Sequence, residues 1–173
     1  MDCKTRWASI GIPSVILALL ILSGVALARD IFCKADCRGT KYADTIIGNN
    51  ANNFVEGLPG EDFIDGNVGN DRLFGNRDVD EIHGSRGEDY VEGGKHMEVN
   101  YLYGETGNDT INAVDEFPPG ATDYIYCGKG TDIAYVDGWT EARPDVHSGC
   151  EQVIPAVCLD VYPADYCVYP WPE

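Results

Sequence analysis

The chain has 173 residues, with 29 Asp and Glu against 12 Lys and Arg and a formal net charge of −17. That balance excludes partners met through their phosphates, nucleic acids and anionic membrane surfaces alike, because like charges repel. The length suits one domain, and the acids recur among aliphatic and aromatic residues on a fixed period, unlike the unpatterned acidity of a disordered tail.

The first predicted element is a secretory signal. Lys4 and Arg6 precede the apolar run VILALLIL, Val15–Leu22, and Ala26-Leu27-Ala28 offers small residues where a signal peptidase cuts. Met1–Ala28 reads as a leader cleaved before Arg29, so the protein reads as secreted, with no membrane attachment after cleavage. The rival reading is an uncleaved anchor. Its apolar stretch lies near the lower limit for spanning and is interrupted by Gly11, Pro13, Ser14 and Gly24.

Cys3 leaves with the leader, and Cys33, Cys37, Cys127, Cys150, Cys158 and Cys167 remain. An even number of cysteines outside the cell reads as disulfides. They fall into three neighbourhoods. Local pairing, Cys33 with Cys37, Cys127 with Cys150 and Cys158 with Cys167, would clip each end of the mature chain. The alternative for CKADC, Cys33–Cys37, is a zinc site, but its further ligands would lie far away in sequence.

From Gly39 the chain divides into nines: GTKYADTII, GNNANNFVE, GLPGEDFID, GNVGNDRLF, GNRDVDEIH and GSRGEDYVE, six units without a slip. Position one is Gly. Position six is Asp44, Asn53, Asp62, Asp71, Asp80 and Asp89, and position eight is Ile46, Val55, Ile64, Leu73, Ile82 and Val91. Later units carry insertions and continue the series with Asn100 and Leu102, Asp109 and Ile111, Asp123 and Ile125, and Asp132 and Ala134. One aliphatic residue flanked by two variable ones predicts a very short strand with one inward side chain. The Gly, Asn and Asp residues between such strands predict turns. Two units then make one coil, and coils stacked at about 4.8 Å give two parallel sheets with a thin core. Nothing after Ala28 carries a helical apolar period.

These units resemble the nonapeptide repeat of the haemolysin-type, or RTX, calcium-binding family, G-G-x-G-x-D-x-U-x with U a large aliphatic, over Gly39 to about Tyr135. The resemblance implies an all-β fold: a right-handed parallel β-roll (β-solenoid) of about ten nine-residue repeats, with a disulfide-bearing C-terminal cap. It also implies several Ca²⁺ ions between stacked turns, held by backbone carbonyls and by the carboxylates of Asp44, Asp62, Asp71, Asp80, Asp89, Asp109 and Asp132. Hard oxygen donors favour that ion. Stacked carboxylates repel one another without metal, so calcium is expected to be needed for folding. The chain departs from the family pattern at Asn53 and Asn100, and position two is Gly only at Gly94 and Gly128. The small exported members are the better match, and YVDGWTEARPDVHSGCEQV is similar to their disulfide-bearing end. The expected organisation is a leader over 1–28, an N-terminal cap over 29–38, the roll over 39–135, and a C-terminal cap and tail over 136–173.

The function expected is a structural or binding module, not an enzyme. No paired carboxylate stands out as an acid–base couple and no nucleophile motif is present. A calcium-assisted polysaccharide-acting enzyme would need Arg72 or Arg86 as base beside an open metal position. A carbohydrate or protein partner would need the outward aromatics Phe63, Tyr101, Tyr103, Tyr124 and Tyr126 to be uncovered. The tail VYPADYCVYPWPE is the expected cover for that stripe. His83 and His147 read as solvent-facing, and His96 falls in an insertion. The two edges of the roll are expected to differ. One has Gly at position four beside Asp71, Asp89, Asp109 and Asp132 (Gly69, Gly87, Gly107 and Gly130). The other has Tyr42, Gly60 and Asp78 beside Asp44, Asp62 and Asp80.

Overall fold

The computed structural model describes residues 29–94, 98–115, 121–137 and 145–156 in full, and 157–159 and 166–168 by their backbone. The leader, His96 and most of the C-terminal tail lie outside these residues. In chain order the strands are β1 (Arg29–Phe32), β2 (Asp36–Arg38), β3 (Asp44–Ile47), β4 (Phe54–Pro59), β5 (Phe63–Asp65) and β6 (Arg72–Arg77). They continue with β7 (Glu81–Arg86), β8 (Tyr90–Gly94), β9 (Tyr101–Thr106), β10 (Thr110–Asn112) and β11 (Tyr124–Lys129). The last are β12 (Ile133–Val136), β13 (Val146–Ser148), β14 (Gln152–Pro155), β15 (Val157–Leu159) and β16 (Tyr166–Val168).

The odd strands β1 to β13 form one seven-stranded parallel sheet and the even strands β2 to β14 a second. This alternation is the topology of a β-solenoid, in which each coil contributes one strand to each sheet. Register follows the nonapeptide: Ile46 lies opposite Ile64, and Ile64 opposite Ile82. All ten position-eight residues, from Ile46 to Ala134, are fully buried. Each such side chain contributes roughly 1.5–3 kcal/mol by leaving water, so one per nine residues makes a weak core that needs other links between coils.

The sheets reach beyond the repeat at both ends. Ile31 lies opposite Ile46 and Cys37 opposite Val55, and both are buried. At the other end β13 pairs with β11 and β14 with β12. Segments 29–38 and 146–155, expected as caps, thus supply the terminal strands of both sheets. Neither carries the Gly-x-Asp signature, so both stand outside the nonapeptide series. Disulfides join Cys33 to Cys37 and Cys127 to Cys150. Cys127 replaces Gly at position one of its unit, and its side chain lies in the core. The β15–β16 pair is antiparallel, with Cys158 opposite Cys167 in the backbone register.

The strands are longer than the three residues expected. Five run for six residues, from position seven through position three of the next unit. By the two-residue alternation of a strand, positions six, eight and one then all face inward. The Asp side chains therefore lie inside the roll, in line with the aliphatic core.

Candidate metal centre

Position seven donates its N–H to the position-six carbonyl of the coil before: Arg72 to Asn53, Glu81 to Asp62, Tyr90 to Asp71. That leaves the N–H of position six itself, buried and in need of an acceptor. The next coil supplies one. Asp44 N–H donates to Asp62 Oδ1 at 2.8 Å, Asp62 to Asp80 at 2.9 Å, Asp80 to Asn100 at 3.0 Å and Asn100 to Asp123 at 2.6 Å. On the opposite edge Asn53 donates to Asp71 at 2.6 Å, Asp71 to Asp89 at 2.8 Å, Asp89 to Asp109 at 2.9 Å and Asp109 to Asp132 at 2.8 Å. Two continuous ladders of side chains thus tie coil to coil, one along each edge. Asn serves this role as well as Asp, since it too presents an oxygen.

One oxygen of each carboxylate is used in that way. The other, Oδ2 of Asp62, Asp71, Asp80, Asp89, Asp109, Asp123 and Asp132, is buried and has no hydrogen-bond partner. Such an atom costs about 1–3 kcal/mol unless something satisfies it. Gly at position one makes room for it. A Cβ on Gly57 would stand 2.5 Å from Asp62 Oδ2, and one on Gly66 2.5 Å from Asp71 Oδ2. Expected as a turn residue, that glycine also clears space for the carboxylate of its own unit.

The electrostatics report the same burial. Asp62 is pushed up to about 7, first by desolvation and then by Asp44 and Asp78, against the lowering N–H of Asp44. Asp80 rises to about 8, Asp89 to about 7 and Asp109 to about 6, each chiefly by desolvation. Asp71 is raised for the same reason. Asp123 reaches about 9, with Asp145, Asp115 and Asp137 adding repulsion to its desolvation. Burial of this kind disfavours the ionised form, and an accompanying cation favours it.

All-oxygen donors and partnerless buried carboxylates fit Ca²⁺. Among the described residues no three His, Cys, Asp or Glu side chains converge on one point. Any ion in these turns therefore needs backbone carbonyls or water beside the carboxylates, as calcium's six to eight ligands permit.

The outer face of the odd-strand sheet carries the aromatic stripe, in an arrangement that sequence reasoning missed. His83 stacks on Tyr103 with centroids 4.4 Å apart, Tyr103 on Tyr126 at 5.0 Å and Tyr101 on Tyr124 at 5.2 Å, all within 9° of parallel. Phe63 tilts against His83 at 5.3 Å. His83, expected in solvent, instead bridges Glu105 at 2.8 Å and Glu81 at 3.0 Å. Burial lowers its imidazolium, but the two carboxylates outweigh that and leave it raised. The missed signal was register: His83 at position nine falls between Asp65 and Tyr103, and Glu105 lies one coil on. Arg72, the candidate base, lies over the Tyr90 ring at 5.2 Å.

The family model for the RTX calcium-binding nonapeptide repeat (four copies) matches residues 38–73, 65–95 and 99–113. No curated protein and no solved structure matches the chain.

Proposed function

Since the chain is an RTX-type repeat protein, we propose that it is a secreted calcium-binding β-roll whose ions are required for folding, with a structural or binding role and no catalysis of its own. Asp62, Asp71, Asp80, Asp89, Asp109 and Asp132 would hold several Ca²⁺ ions; Asp44, whose Oδ2 already accepts from the Thr40 N–H, stands apart from them. The observation that carries this reading is the recurrence of one buried carboxylate oxygen without a hydrogen-bond partner in each of these six turns. A divalent cation satisfies that oxygen, keeps the carboxylate ionised and removes the repulsion along the ladder. Because metal binds the coiled chain and not the open one, its binding free energy becomes folding free energy. The leader over 1–28, the disulfide-clipped ends and the acidic surface support export and argue against a nucleic-acid or membrane partner.

The aromatic stripe gives less support to a carbohydrate platform. Sugar rings stack on exposed ring faces, and here Tyr103 lies between His83 and Tyr126 while Tyr101 and Tyr124 stack on each other. The arginine-based enzyme reading loses support likewise, since Arg72 is engaged with Tyr90.

The test is a calcium titration of the chain from Arg29 onward, followed by circular dichroism, with native mass spectrometry to count ions. Strand signal that appears with calcium, at a stoichiometry of several ions, is the expected result. A fully folded roll in excess chelator would overturn the calcium-dependent mechanism.

A further inference from the structure

The turns are of two kinds, and position two separates them. In six turns position two is left-handed: Leu58 (φ 76°), Asn67 (77°), Asn76 (82°), Ser85 (77°), Glu105 (72°) and Gly128 (107°). All six end on an Asp at position six whose buried Oδ2 has no hydrogen-bond partner. In three further turns position two, Thr40, Asn49 or Gly94, lies outside the left-handed region. There a main-chain group occupies the position-six side chain. Thr40 N–H donates to Asp44 Oδ2 at 2.5 Å, Asn49 N–H donates to Asn53 Oδ1 at 2.8 Å, and Asn100 Nδ2 donates to the Glu98 carbonyl at 3.3 Å. Two of those three position-six residues are Asn, the residue that satisfies a main-chain partner without bringing a charge.

The first kind of turn is doubly costly by itself. A left-handed Leu, Ser or Glu is strained by its Cβ against the following carbonyl oxygen, and the buried carboxylate oxygen is desolvated without a partner. The two coincide at Leu58, Ser85 and Glu105; Asp44 Oδ1, Asn53 Nδ2 and, in the inserted turn, Asp123 Oδ2 are also buried without a partner, but at Thr40 and Asn49 no left-handed residue accompanies them. A ligand confined to those turns offsets both.

We propose that calcium binding is restricted to the six left-handed turns, and that the N-terminal turns ending at Asp44 and Asn53 form, with β1 and β2, a calcium-independent nucleus on which the calcium-dependent coils build. The inference rests on the calcium reading above. The nucleus has its own fastenings. The Cys33–Cys37 disulfide closes its first coil. Asn49 Nδ2 donates to the carbonyls of Cys33 at 3.0 Å and Lys34 at 2.8 Å, and Ala51 N–H donates to Asn49 Oδ1 at 2.7 Å. Arg38 pairs with Glu56 across β2 and β4. The asymmetry gives folding a direction. A preformed edge at the N-terminal end presents paired strands to the next coil, which lowers the loop-closure cost of starting a solenoid anywhere else.

Hydrogen exchange by mass spectrometry on the full chain, in calcium-free and calcium-saturated buffer, tests this. Without calcium, amides of β3 and the first half of β4 should keep protection to within about tenfold of their calcium-bound value. Those of β6 to β12 should lose roughly a hundredfold or more. Calcium should restore the second group and leave the first nearly unmoved. Uniform loss across both groups would overturn the nucleus while leaving the calcium reading intact. Full protection of every coil without calcium, with no bound ions by mass spectrometry, would sink the calcium reading and this proposal with it. Two conservative variants sharpen the result. Asp44→Asn keeps the acceptor for Thr40 and should leave the calcium midpoint within about twofold, whereas Asp71→Asn should raise it about fivefold or more. Equal shifts would overturn the division of turns.

Discussion

Along the edge of Asp71, Asp89, Asp109 and Asp132, position four is always Gly, and Gly69, Gly87, Gly107 and Gly130 have φ between 134° and 155°. Along the opposite edge the same place holds Tyr42, Gly60 and Asp78, with Asp78 left-handed at 73° and Gly60 at 135°. Both edges carry the same carboxylate ladder, so charge does not distinguish them; the backbone does. In the glycine column the turns close on one another so tightly that a Cβ on Gly87 would lie 1.8 Å from the Gly69 carbonyl oxygen. That edge also carries a second, outer ladder: Asn70 N–H donates to Asn52 Oδ1 at 3.0 Å, Glu88 to Asn70 at 3.1 Å and Thr131 to Asn108 at 2.9 Å. Its four open turns run without a break, whereas Asn100 interrupts the other edge after Asp80. The comparison teaches that a periodic ligand residue specifies a row of sites only where the backbone repeats as faithfully as the side chain.

The largest expected effect breaks the glycine column. A Cβ on Gly107 would lie 1.5 Å from the Gly87 carbonyl oxygen at a φ of 147°, so Gly107→Ala should cost about 3 kcal/mol or more. On the other edge Gly60→Ala meets Tyr42 backbone at 2.5 Å, where no stacked glycine column holds the neighbour, and should cost about 1–2 kcal/mol. Thermal melts in saturating calcium check both. Equal losses would mean that the column is no tighter than the irregular edge.

Next is the carboxylate itself. Asp89 has an Asp on both sides along its edge, while Asp80 has Asp62 on one side and Asn100 on the other. Asp89→Ala should raise the calcium midpoint of folding about tenfold and Asp80→Ala about threefold, tenfold corresponding to about 1.4 kcal/mol. Calcium titrations followed by circular dichroism distinguish them, and a reversed order would refute the claim that the unbroken row binds more tightly.

The smallest effect is on pH dependence without calcium. Folding raises Asp80 and Asp109 from the ordinary value of 3.8, so between that pH and the folded value the folded chain holds more protons than the unfolded one. Stability of the calcium-free protein should therefore fall as pH rises through this window. The contribution of Asp109 is exhausted near pH 6, and that of Asp80 only near pH 8. Asp80→Asn should then flatten the decline between about pH 6 and 8, and Asp109→Asn should leave that part of the slope unchanged. Circular dichroism in calcium-free buffer from about pH 4 upward would show it, as strand signal retained to a higher pH in Asp80→Asn than in Asp109→Asn; the same pH of loss in both variants would show that burial at Asp80 carries no larger penalty than at Asp109. With calcium bound the decline should vanish, because the cation takes the place of the proton.

The repeat by itself determined the parallel two-sheet coil, because a nine-residue period with one aliphatic residue admits few other ways of burying that residue. It also identified which carboxylates recur, and grouped the cysteines into neighbourhoods close enough to pair. It did not show that the Asp side chains face inward with the core, since that depends on strands continuing past position nine into the next Gly. Nor did it show the first and last coils, where Ile31, Cys37 and the strands at 146–155 pair by register without the Gly-x-Asp signature. The pairing of His83 with Glu81 and Glu105 was equally hidden, because Glu105 is 22 residues away and becomes a neighbour only when one coil stacks on the next. The division of turns into two kinds was decided by tertiary structure alone: Thr40, Asn49, Asn67 and Ser85 are all small polar residues, and their different backbone angles arise from what the neighbouring coils and the position-six side chain leave for the position-two N–H to bond.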